Sequence, residues 1–282
     1  MKKVILVLIG IMLFISLVFV SVGQKDEKFS NIRPNAVIVQ SKDNPLKKYI
    51  NIARPKFENR VKITQEIKVP VLLYHEINDD PANVYETLTN DFKDQMQYLK
   101  DNKFIPISIS KFDKLMDEKI NLKDKKYVLI NFDDGCLSAY QNAIPILKSF
   151  NFEATFFIIP SILNTDGYMT SAQVKQLSKD YDIENHSYDH TWIADLSYAD
   201  QVDNFNKANE ILKNITGKKP LYIAYPYGYC DANIVIAAKE VGLKLGFVCN
   251  DGMSDSLSNP MIMNRQIIWR WISLNEFGTL LN

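Results

Sequence analysis

The stretch YVLINFDDG, residues 127–135, sets two adjacent carboxylates directly after an apolar run. The run is rich in β-branched and aromatic residues, so it predicts a buried strand. Gly135 predicts a sharp turn behind the pair, and a simple turn is one explanation of Asp133 and Asp134. Two neighbouring carboxylates at the mouth of an apolar strand repel each other, however, and a divalent cation would relieve that repulsion. The stretch therefore indicates either a turn or a metal site.

Similar strand signals recur from Val69 onward, separated by stretches that carry apolar residues at helical spacing. The predicted strands are VPVLLYH, FIPIS, YVLINF, EATFFII, YDIEN, LYIAYP, LKLGFVC and MIMNRQII. Ser171 and Ser197 are predicted N-caps of two of the helices. Alternating strands and helices predict an α/β fold, either a parallel barrel or a doubly wound sheet. In both architectures, functional side chains gather where the strands end.

The N-terminus has a different character. Residues 4–22 are uncharged and almost wholly apolar, and at about 1.5 Å per residue they are just long enough to cross a bilayer core of roughly 30 Å. Residues 1–23 are therefore predicted to be a membrane anchor, with a cleaved signal peptide as the alternative. Residues 24–66 are expected to form a basic stem, and residues 67–282 the main folded domain.

The formal net charge of zero hides a basic segment and an acidic main body. Residues 24–68 carry a charge of +6, whereas residues 69–282 carry −8. An acidic body argues against nucleic acid as a partner, because neutralising phosphates requires clustered Lys and Arg. No obligate protein partner is evident from the sequence.

All three histidines of the chain sit at the ends of predicted strands. His75 closes VPVLLYH, and His186 and His190 lie in YDIENHSYDH. An isolated histidine is more often structural than a ligand, but two imidazoles at i and i+4 can turn toward one point, as they do in helical zinc sites. Two histidines and one aspartate would give three protein ligands with open positions for water and substrate, which is typical of catalytic metal sites. A neighbouring aspartate would stay free to accept a proton.

A third cluster is LYIAYPYGYCD, residues 221–231. Pro226 and Gly228 predict a sharp turn from strand to loop, and plain connection geometry is one explanation of them. The functional explanation is that the turn aims a backbone N–H at the metal centre, where it would help to hold an oxyanion.

These three motifs together carry a family resemblance. NFDDG at 131–135, HSYDH at 186–190 and YPYG at 225–228 resemble, in this order, the first three motifs of the polysaccharide deacetylase family, the NodB-homology or carbohydrate esterase family 4 domain. The resemblance covers roughly residues 69–282. It implies a distorted (β/α) barrel of about seven strands that removes N-acetyl groups from GlcNAc-type polymers. It also implies one divalent metal ion, with zinc expected first and cobalt, nickel or manganese as alternatives.

The resemblance assigns a role to each matching residue. Asp133 resembles the catalytic base of the family. Asp134, His186 and His190 resemble the metal ligands. Tyr227 resembles the residue whose backbone N–H supports the oxyanion.

Two departures from the family pattern matter. Ala224 occupies the position where the third motif usually carries an arginine that orients the base, and no histidine follows His190 to act as the usual C-terminal acid. VPVLLYHEI, however, resembles the opening strand of the branch that acts on poly-β-1,6-GlcNAc, where the acid histidine comes early. His75 is therefore the expected acid, with a structural histidine as the alternative. Arg265 is expected either to replace the missing arginine beside Asp133 or to form a surface ion pair.

Trp269 and Trp271 alternate on the predicted last strand, so one is expected to face the groove or both to pack. The sequence thus predicts an extracytoplasmic, membrane-anchored or secreted N-deacetylase of cell-wall or extracellular GlcNAc polysaccharide. Two alternatives stay open. One is a non-catalytic carbohydrate-binding relative of the same fold, and the other is a metal-dependent acetyl esterase.

Overall fold

The computed structural model describes residues 66–118 and 125–282. The predicted anchor, residues 1–23, lies outside the described residues, and so does the predicted stem except for Glu66. No helix within the described ranges is both long and apolar enough to cross a membrane. The boundaries of anchor, stem and domain therefore stay predictions.

Most strands of the described residues belong to one parallel sheet at the core of the protein. The strands are β1 Lys68–Val69, β2 Val71–Tyr74, β3 Glu76–Asn78, β4 Glu86–Leu88, β5 Phe104–Pro106, β6 Lys126–Phe132, β7 Thr155–Ile158, β8 Asp182–Asn185, β9 Tyr222–Ala224, β10 Leu245–Phe247, β11 Ser254–Asp255 and β12 Gln266–Ile267. Seven of them follow one path in the order β10, β9, β8, β7, β6, β2, β12, and β5 pairs with the start of β6. Strands β1 with β11 and β3 with β4 form two small separate sheets. The predicted parallel α/β fold is confirmed.

The two ends of this path approach each other. Phe247 in β10 forms an isolated parallel bridge with Met263, shortly before β12. The N–H of Met263 donates to the carbonyl of Gly246 at 2.8 Å, and the N–H of Val248 donates to Met263 at 2.9 Å. A Cβ on Gly246 would lie 2.6 Å from the Tyr225 hydroxyl, so only glycine allows this approach. The sheet therefore curves in the manner of a barrel.

Helices cover the sheet between the strands. They are α1 Thr89–Asp101, α2 Ile109–Glu118, α3 Ile144–Phe150, α4 Ser171–Leu177, α5 Tyr198–Thr216, α6 Ala232–Glu240 and α7 Leu274–Thr279. The predicted cap at Ser197 is confirmed, since its side chain accepts the N–H of Asp200. The predicted cap at Ser171 is wrong by one residue, because Thr170 forms a reciprocal capping box with Gln173.

Three aromatic rings from adjacent strands stack directly below the strand ends. Tyr74, Phe132 and Phe156 are fully buried and in register across β2, β6 and β7. Their ring centroids lie 5.5 Å and 4.8 Å apart in succession. Such pairs contribute roughly 0.5–1.5 kcal/mol each beyond the area they bury. The next residues along β2 and β6 are His75 and Asp133, so the stack supports two of the predicted site residues.

The predicted last strand, MIMNRQII, is largely wrong. Only Gln266–Ile267 pairs as a strand, because the N–H of Ile262 donates to the carbonyl of Asn259 and turns the chain before pairing can begin. Trp269 and Trp271 lie beyond the strand and are exposed. Their alternation therefore does not place them on opposite faces of a sheet.

Candidate active site

The aspartate pair lies at the C-terminal end of β6. The backbone N–H of Asp133 donates to the carbonyl of Tyr74 at 3.0 Å, which extends the pairing with β2 by one residue. Asp134 and Gly135 then adopt φ values of 72° and 87°, so the chain leaves the sheet immediately after the pair. Asp133 is buried, whereas Asp134 is partly exposed. The two carboxylates therefore occupy different environments.

Arg265 holds Asp133 in a bidentate ion pair. Its Nη1 and Nη2 donate to Oδ1 and Oδ2 of Asp133 at 2.7 Å and 2.8 Å, and both side chains are buried. Burial alone would raise the pKa of Asp133, but the charges of Arg265 and His186 and the hydrogen bonds from Arg265 lower the pKa below its ordinary value. Asp133 is therefore a carboxylate at neutral pH. Arg265 was expected either to pair with Asp133 or to form a surface ion pair, and the structure shows the pairing with Asp133.

Asp134, His186 and His190 form a candidate metal site. Asp134 Oδ1 lies 3.2 Å from Nε2 of His186 and 3.8 Å from Nε2 of His190. One potential ligand atom from each residue lies within 4.8 Å of the others. Within the described ranges, the buried Oδ1 of Asp134 has no hydrogen-bond partner. One carboxylate and two imidazoles are a suitable donor set for a divalent transition metal, and an unpartnered buried oxygen fits that use.

A backbone carbonyl orients His186. Its Nδ1 lies 2.8 Å from the carbonyl oxygen of Ala224, a distance at which a protonated Nδ1 donates and Nε2 is left without a proton. Metal-binding histidines are commonly oriented by such a bond. Ala224 stands where the family pattern has an arginine. It contributes its backbone carbonyl to the site instead.

The two histidines differ in basicity. Burial, followed by the neighbouring His186, lowers the pKa of His190 to about 4, so its imidazole is neutral at physiological pH. Burial also disfavours a charge on His186, but Asp133 and Asp134 outweigh it and raise the pKa of His186. The two aspartates thus attract positive charge to this point, which a metal cation would also supply.

Left-handed backbone conformations cluster at the site. Asp134, Ser187, His190 and Tyr227 have φ between 56° and 72°. Such a conformation costs a non-glycine residue roughly 1–3 kcal/mol and tends to occur at functional sites. Local hydrogen bonds hold part of this backbone: the N–H of Ser187 donates to Asn185 Oδ1 at 2.7 Å, and Ser187 Oγ accepts the N–H of His190 at 3.0 Å.

His75 lies beside this cluster. It follows β2, whose neighbour in the sheet is β6, and it interacts electrostatically with both Asp133 and Asp134. Its Nδ1 is buried and has no hydrogen-bond partner in the part of the chain that the structure describes. Tyr227 lies on the other side, with its ring centroid 4.5 Å from that of His190. The structure thus brings together all the predicted site residues.

Sequence reasoning missed several contributors. The carbonyl of Ala224 gives no signal, because any residue type supplies a backbone oxygen. The amide of Asn185 precedes the histidine motif, where it reads as the end of a strand. The rings of Tyr85 and Trp192 lie in loops whose course the sequence pattern does not predict. Tyr85 lies 5.4 Å from His75, and Trp192 lies 5.3 Å from Tyr227, between ring centroids.

Comparison with known proteins supports the family resemblance. Residues 121–246 match the sequence profile described as polysaccharide deacetylase. A relative in Bacillus subtilis strain 168, YxkH, provisionally named a polysaccharide deacetylase, is 26% identical over 244 residues, covering 86% of this chain and 82% of that protein. The poly-beta-1,6-N-acetyl-D-glucosamine N-deacetylase of Staphylococcus aureus is 27% identical over 199 residues, covering 65% of this chain and 68% of that protein.

Solved structures share the fold. The Streptococcus pyogenes deacetylase PplD, in complex with acetate, aligns with a TM-score of 0.73 at 22% identity over 77% of this chain and 100% of that chain. IcaB from Ammonifex degensii aligns with a TM-score of 0.67 at 23% identity over 76% of this chain and 97% of that chain. At these identities the two structures show a shared fold. The resemblance to the polysaccharide deacetylase family that the motifs predicted is thus confirmed by the match over residues 121–246 and by the curated relatives.

Proposed function

We propose that the protein is a metal-dependent N-deacetylase that removes acetyl groups from a GlcNAc-containing polysaccharide and releases acetate. The observation that carries the proposal is that two adjacent carboxylates have different partners. Asp133 is held ionised by Arg265, while Asp134 faces two histidines. The relative in Staphylococcus aureus, a poly-beta-1,6-N-acetyl-D-glucosamine N-deacetylase, supports a poly-β-1,6-linked GlcNAc polymer as the substrate class.

The metal ligands in this proposal are Asp134, His186 and His190. Zinc is the first expectation for the ion, with cobalt, nickel and manganese as alternatives. When bound, such an ion supplies Lewis acidity toward the acetamide carbonyl and lowers the pKa of a water molecule.

Asp133 acts as the general base. Its Oδ2 lies 3.7 Å from Nε2 of His186, so the carboxylate borders the metal ligands without replacing one of them. It accepts a proton from the water that attacks the acetamide carbon. Arg265 keeps the carboxylate ionised and fixes its orientation. A positioned base of this kind typically contributes about 10²- to 10⁴-fold to the rate.

Two further groups complete the reaction. The backbone N–H of Tyr227 donates to the oxyanion that forms from the carbonyl, an interaction worth about 3 kcal/mol in comparable sites. His75 donates a proton to the nitrogen as the C–N bond breaks. The products are acetate and the free amine of glucosamine.

The departures at Ala224 and in the C-terminal motif are the features that favour a non-catalytic relative. Arg265 supplies a guanidinium to the base from a different part of the chain, so the absent arginine no longer argues for lost turnover. We further propose that the protein acts outside the cytoplasm, anchored or secreted through residues 1–23. The extracellular nature of such polymers and the apolar N-terminal sequence support this placement.

Acetate release tests the proposal. The full-length protein should release acetate from N-acetylated β-1,6-GlcNAc oligomers, lose that activity with a chelator, and regain it with zinc or another divalent ion. His186→Ala should lower both metal content, measured by mass spectrometry, and activity. Peptidoglycan and chitin oligomers run in parallel identify the polymer, and aryl acetates reveal an esterase. Full activity in metal-free protein would overturn the assigned mechanism.

A further inference from the structure

Helix α5 buries three amide side chains beneath the loop that carries His186 and His190. Gln201, Asn204 and Asn209 lie on the buried face of the helix and are 3%, 8% and 0% exposed. Together they form what is here named the α5 amide stripe. A buried amide costs free energy unless its hydrogen-bonding groups are paired, and packing alone would favour apolar residues on this face. The stripe therefore needs another explanation.

Asn204 binds the histidine loop directly. Its Oδ1 accepts the backbone N–H of Tyr188 at 2.8 Å, and its Nδ2 donates to Oδ1 of Asp189 at 3.0 Å. The same oxygen of Asp189 accepts the backbone N–H of Thr191 at 3.2 Å. Tyr188 and Asp189 lie between the two histidines in sequence, so Asn204 holds the segment that joins two of the proposed metal ligands.

Asn209 reaches the loop through Asn185. Its Oδ1 accepts a hydrogen bond from Nδ2 of Asn185 at 2.8 Å, and the same Nδ2 donates to the carbonyl of Phe205 in α5 at 3.0 Å. Oδ1 of Asn185 in turn accepts the backbone N–H of Ser187 at 2.7 Å. Helix α5 thus fixes the amide of Asn185, which holds the backbone directly after His186.

Gln201 holds the end of the same connection. Its Nε2 donates to the carbonyls of Ile193 at 3.1 Å and Leu196 at 3.3 Å, shortly before α5 begins. Stability alone does not explain the stripe, because within the described ranges Oε1 of Gln201 and Nδ2 of Asn209 are buried without a hydrogen-bond partner. Unpaired buried atoms weaken a folded state, so side chains that keep them are expected to serve another purpose.

The loop needs this support because its backbone is strained. Ser187 and His190 have φ values of 60° and 56°. Residues other than glycine keep such a conformation only where the surrounding structure imposes it. A change in this backbone would turn the two imidazole rings away from Asp134, whose Oδ1 lies 3.2 Å and 3.8 Å from their Nε2 atoms.

We propose that the α5 amide stripe positions His186 and His190 and thereby sets the affinity and coordination geometry of the metal site. Its members do not touch the reacting atoms, so they are positioning residues. A ligand pair that is held in place before the ion arrives loses less conformational freedom on binding, which strengthens binding. This inference rests on the proposed function, because the ion it concerns is the one that the proposed reaction requires.

The metal affinity of the full-length protein tests the inference. Competition with a coloured chelator gives the dissociation constant for Zn²⁺, and the visible absorption of the Co²⁺-loaded protein reports the ligand geometry. Asn204→Leu removes both bonds to the loop, so it should raise the dissociation constant by about 10- to 100-fold and change the Co²⁺ spectrum. Asn209→Leu should have a smaller effect, because Asn209 reaches the loop through Asn185.

Two further variants control the test. Asn206→Leu makes the same substitution on the exposed face of α5, and it should leave both the affinity and the Co²⁺ spectrum as in the wild type. Asn204→Asp keeps the size of the side chain but sets a carboxylate against that of Asp189, so it should also weaken Zn²⁺ binding. If Asn204→Leu does not fold, the comparison of Asn204→Asp with Asn206→Leu decides, and equal affinity in these two would overturn the inference.

Thermal unfolding of the metal-free proteins separates positioning from a purely structural role. A folded Asn204→Leu protein that is less stable but binds Zn²⁺ and Co²⁺ as the wild type does would reject the inference, because the stripe would then serve folding alone. The result is also distinct from that of the proposed function. A wild type that binds Zn²⁺ and releases no acetate would reject the proposed reaction, while the comparison of metal affinities would still decide the role of the stripe.

Discussion

Two buried carboxylates of the same sheet have opposite properties. Asp133, 2% exposed, lies at the C-terminal end of β6 and binds the guanidinium of Arg265. Glu184, 8% exposed, lies in β8 and accepts the backbone N–H groups of Leu221 and Tyr222 at 2.8 Å and 3.0 Å, where β9 begins. Both side chains are deeply buried and both accept two hydrogen bonds. They differ in the charge of the donor.

The charge of the hydrogen-bond donor determines whether each of these two carboxyl groups is ionised. The pKa of Asp133 lies below its ordinary value, because the positive partner outweighs the effect of burial. Burial raises the pKa of Glu184 to about 8, and the two neutral N–H donors lower it only in part. Asp133 is therefore ionised at neutral pH, whereas Glu184 is mainly the protonated acid.

Replacing Asp133 with asparagine should have the largest effect. Asp133→Asn keeps the shape but removes the group that accepts the proton, so kcat for acetate release should fall by about 10²- to 10⁴-fold. Metal content should stay close to that of the wild type, because Asp133 is not an assigned ligand. Retention of full activity would remove the base assignment.

Replacing Arg265 should reverse the ionisation of Asp133. Arg265→Gln leaves a buried carboxylate without a counter-charge, and we expect a loss of about 3–5 kcal/mol in the free energy of unfolding, measured with urea. The pKa of Asp133 should rise, so the acidic limb of the pH–rate profile should move to higher pH. The double variant Asp133→Asn with Arg265→Gln is the control: it should recover part of the stability but none of the activity. An unchanged pH profile in the single variant would contradict the ion pair's role.

Replacing Glu184 with glutamine should change the pH dependence of stability and leave turnover intact. The ordinary pKa of a glutamate is 4.5, and that of Glu184 in the folded protein is about 8. Between these values the unfolded chain loses its proton while the folded protein keeps it, so stability present below pH 4.5 is lost as pH rises through this window. The slope is at most about 1.4 kcal/mol per pH unit and vanishes above pH 8.

The glutamine variant does not titrate, so it should gain stability relative to the wild type as the pH is raised from 5 to 8. Urea unfolding of both proteins across this range measures the difference. Parallel curves would show that Glu184 is ionised in the folded protein, and its contrast with Asp133 would disappear.

The smallest expected effect concerns a hydrogen bond near Glu184. The hydroxyl of Tyr222 donates to Asp113 Oδ2 at 3.1 Å. Tyr222→Phe should lower the free energy of unfolding by about 1 kcal/mol and leave acetate release unchanged. A drop in kcat in this variant would mean that the region around Glu184 also supports catalysis.

The sequence predicts which residues come together in the candidate metal site, because the information it needs for this is local. Asp134 follows β6, while His186 and His190 follow β8, and parallel strands bring their C-terminal ends to one edge. Short motifs and the fold class are therefore enough to predict which residues meet. The orientation of His186 could not be predicted in this way, because it depends on the carbonyl of Ala224.

The C-terminal part of the chain was predicted less well. Alternating residues in MIMNRQIIWRW favour a long strand, but the turn between Asn259 and Ile262 shortens it to two residues. The sequence left two roles open for Arg265: a partner of Asp133 or a member of a surface ion pair. Its position depends on the bridge between Phe247 and Met263, which is a tertiary contact that local pattern does not encode.

The ion pair between Asp133 and Arg265 joins residues 132 positions apart. A ribosome that adds roughly 5–20 residues per second needs on the order of 10 s to make that interval. During that time, and in any chain cut before β12, burial of Asp133 would proceed without its counter-charge and would favour the protonated acid. Arg265, directly before β12, is therefore made late, and in a chain that ends before it the proposed base would lack the charge that keeps it ionised.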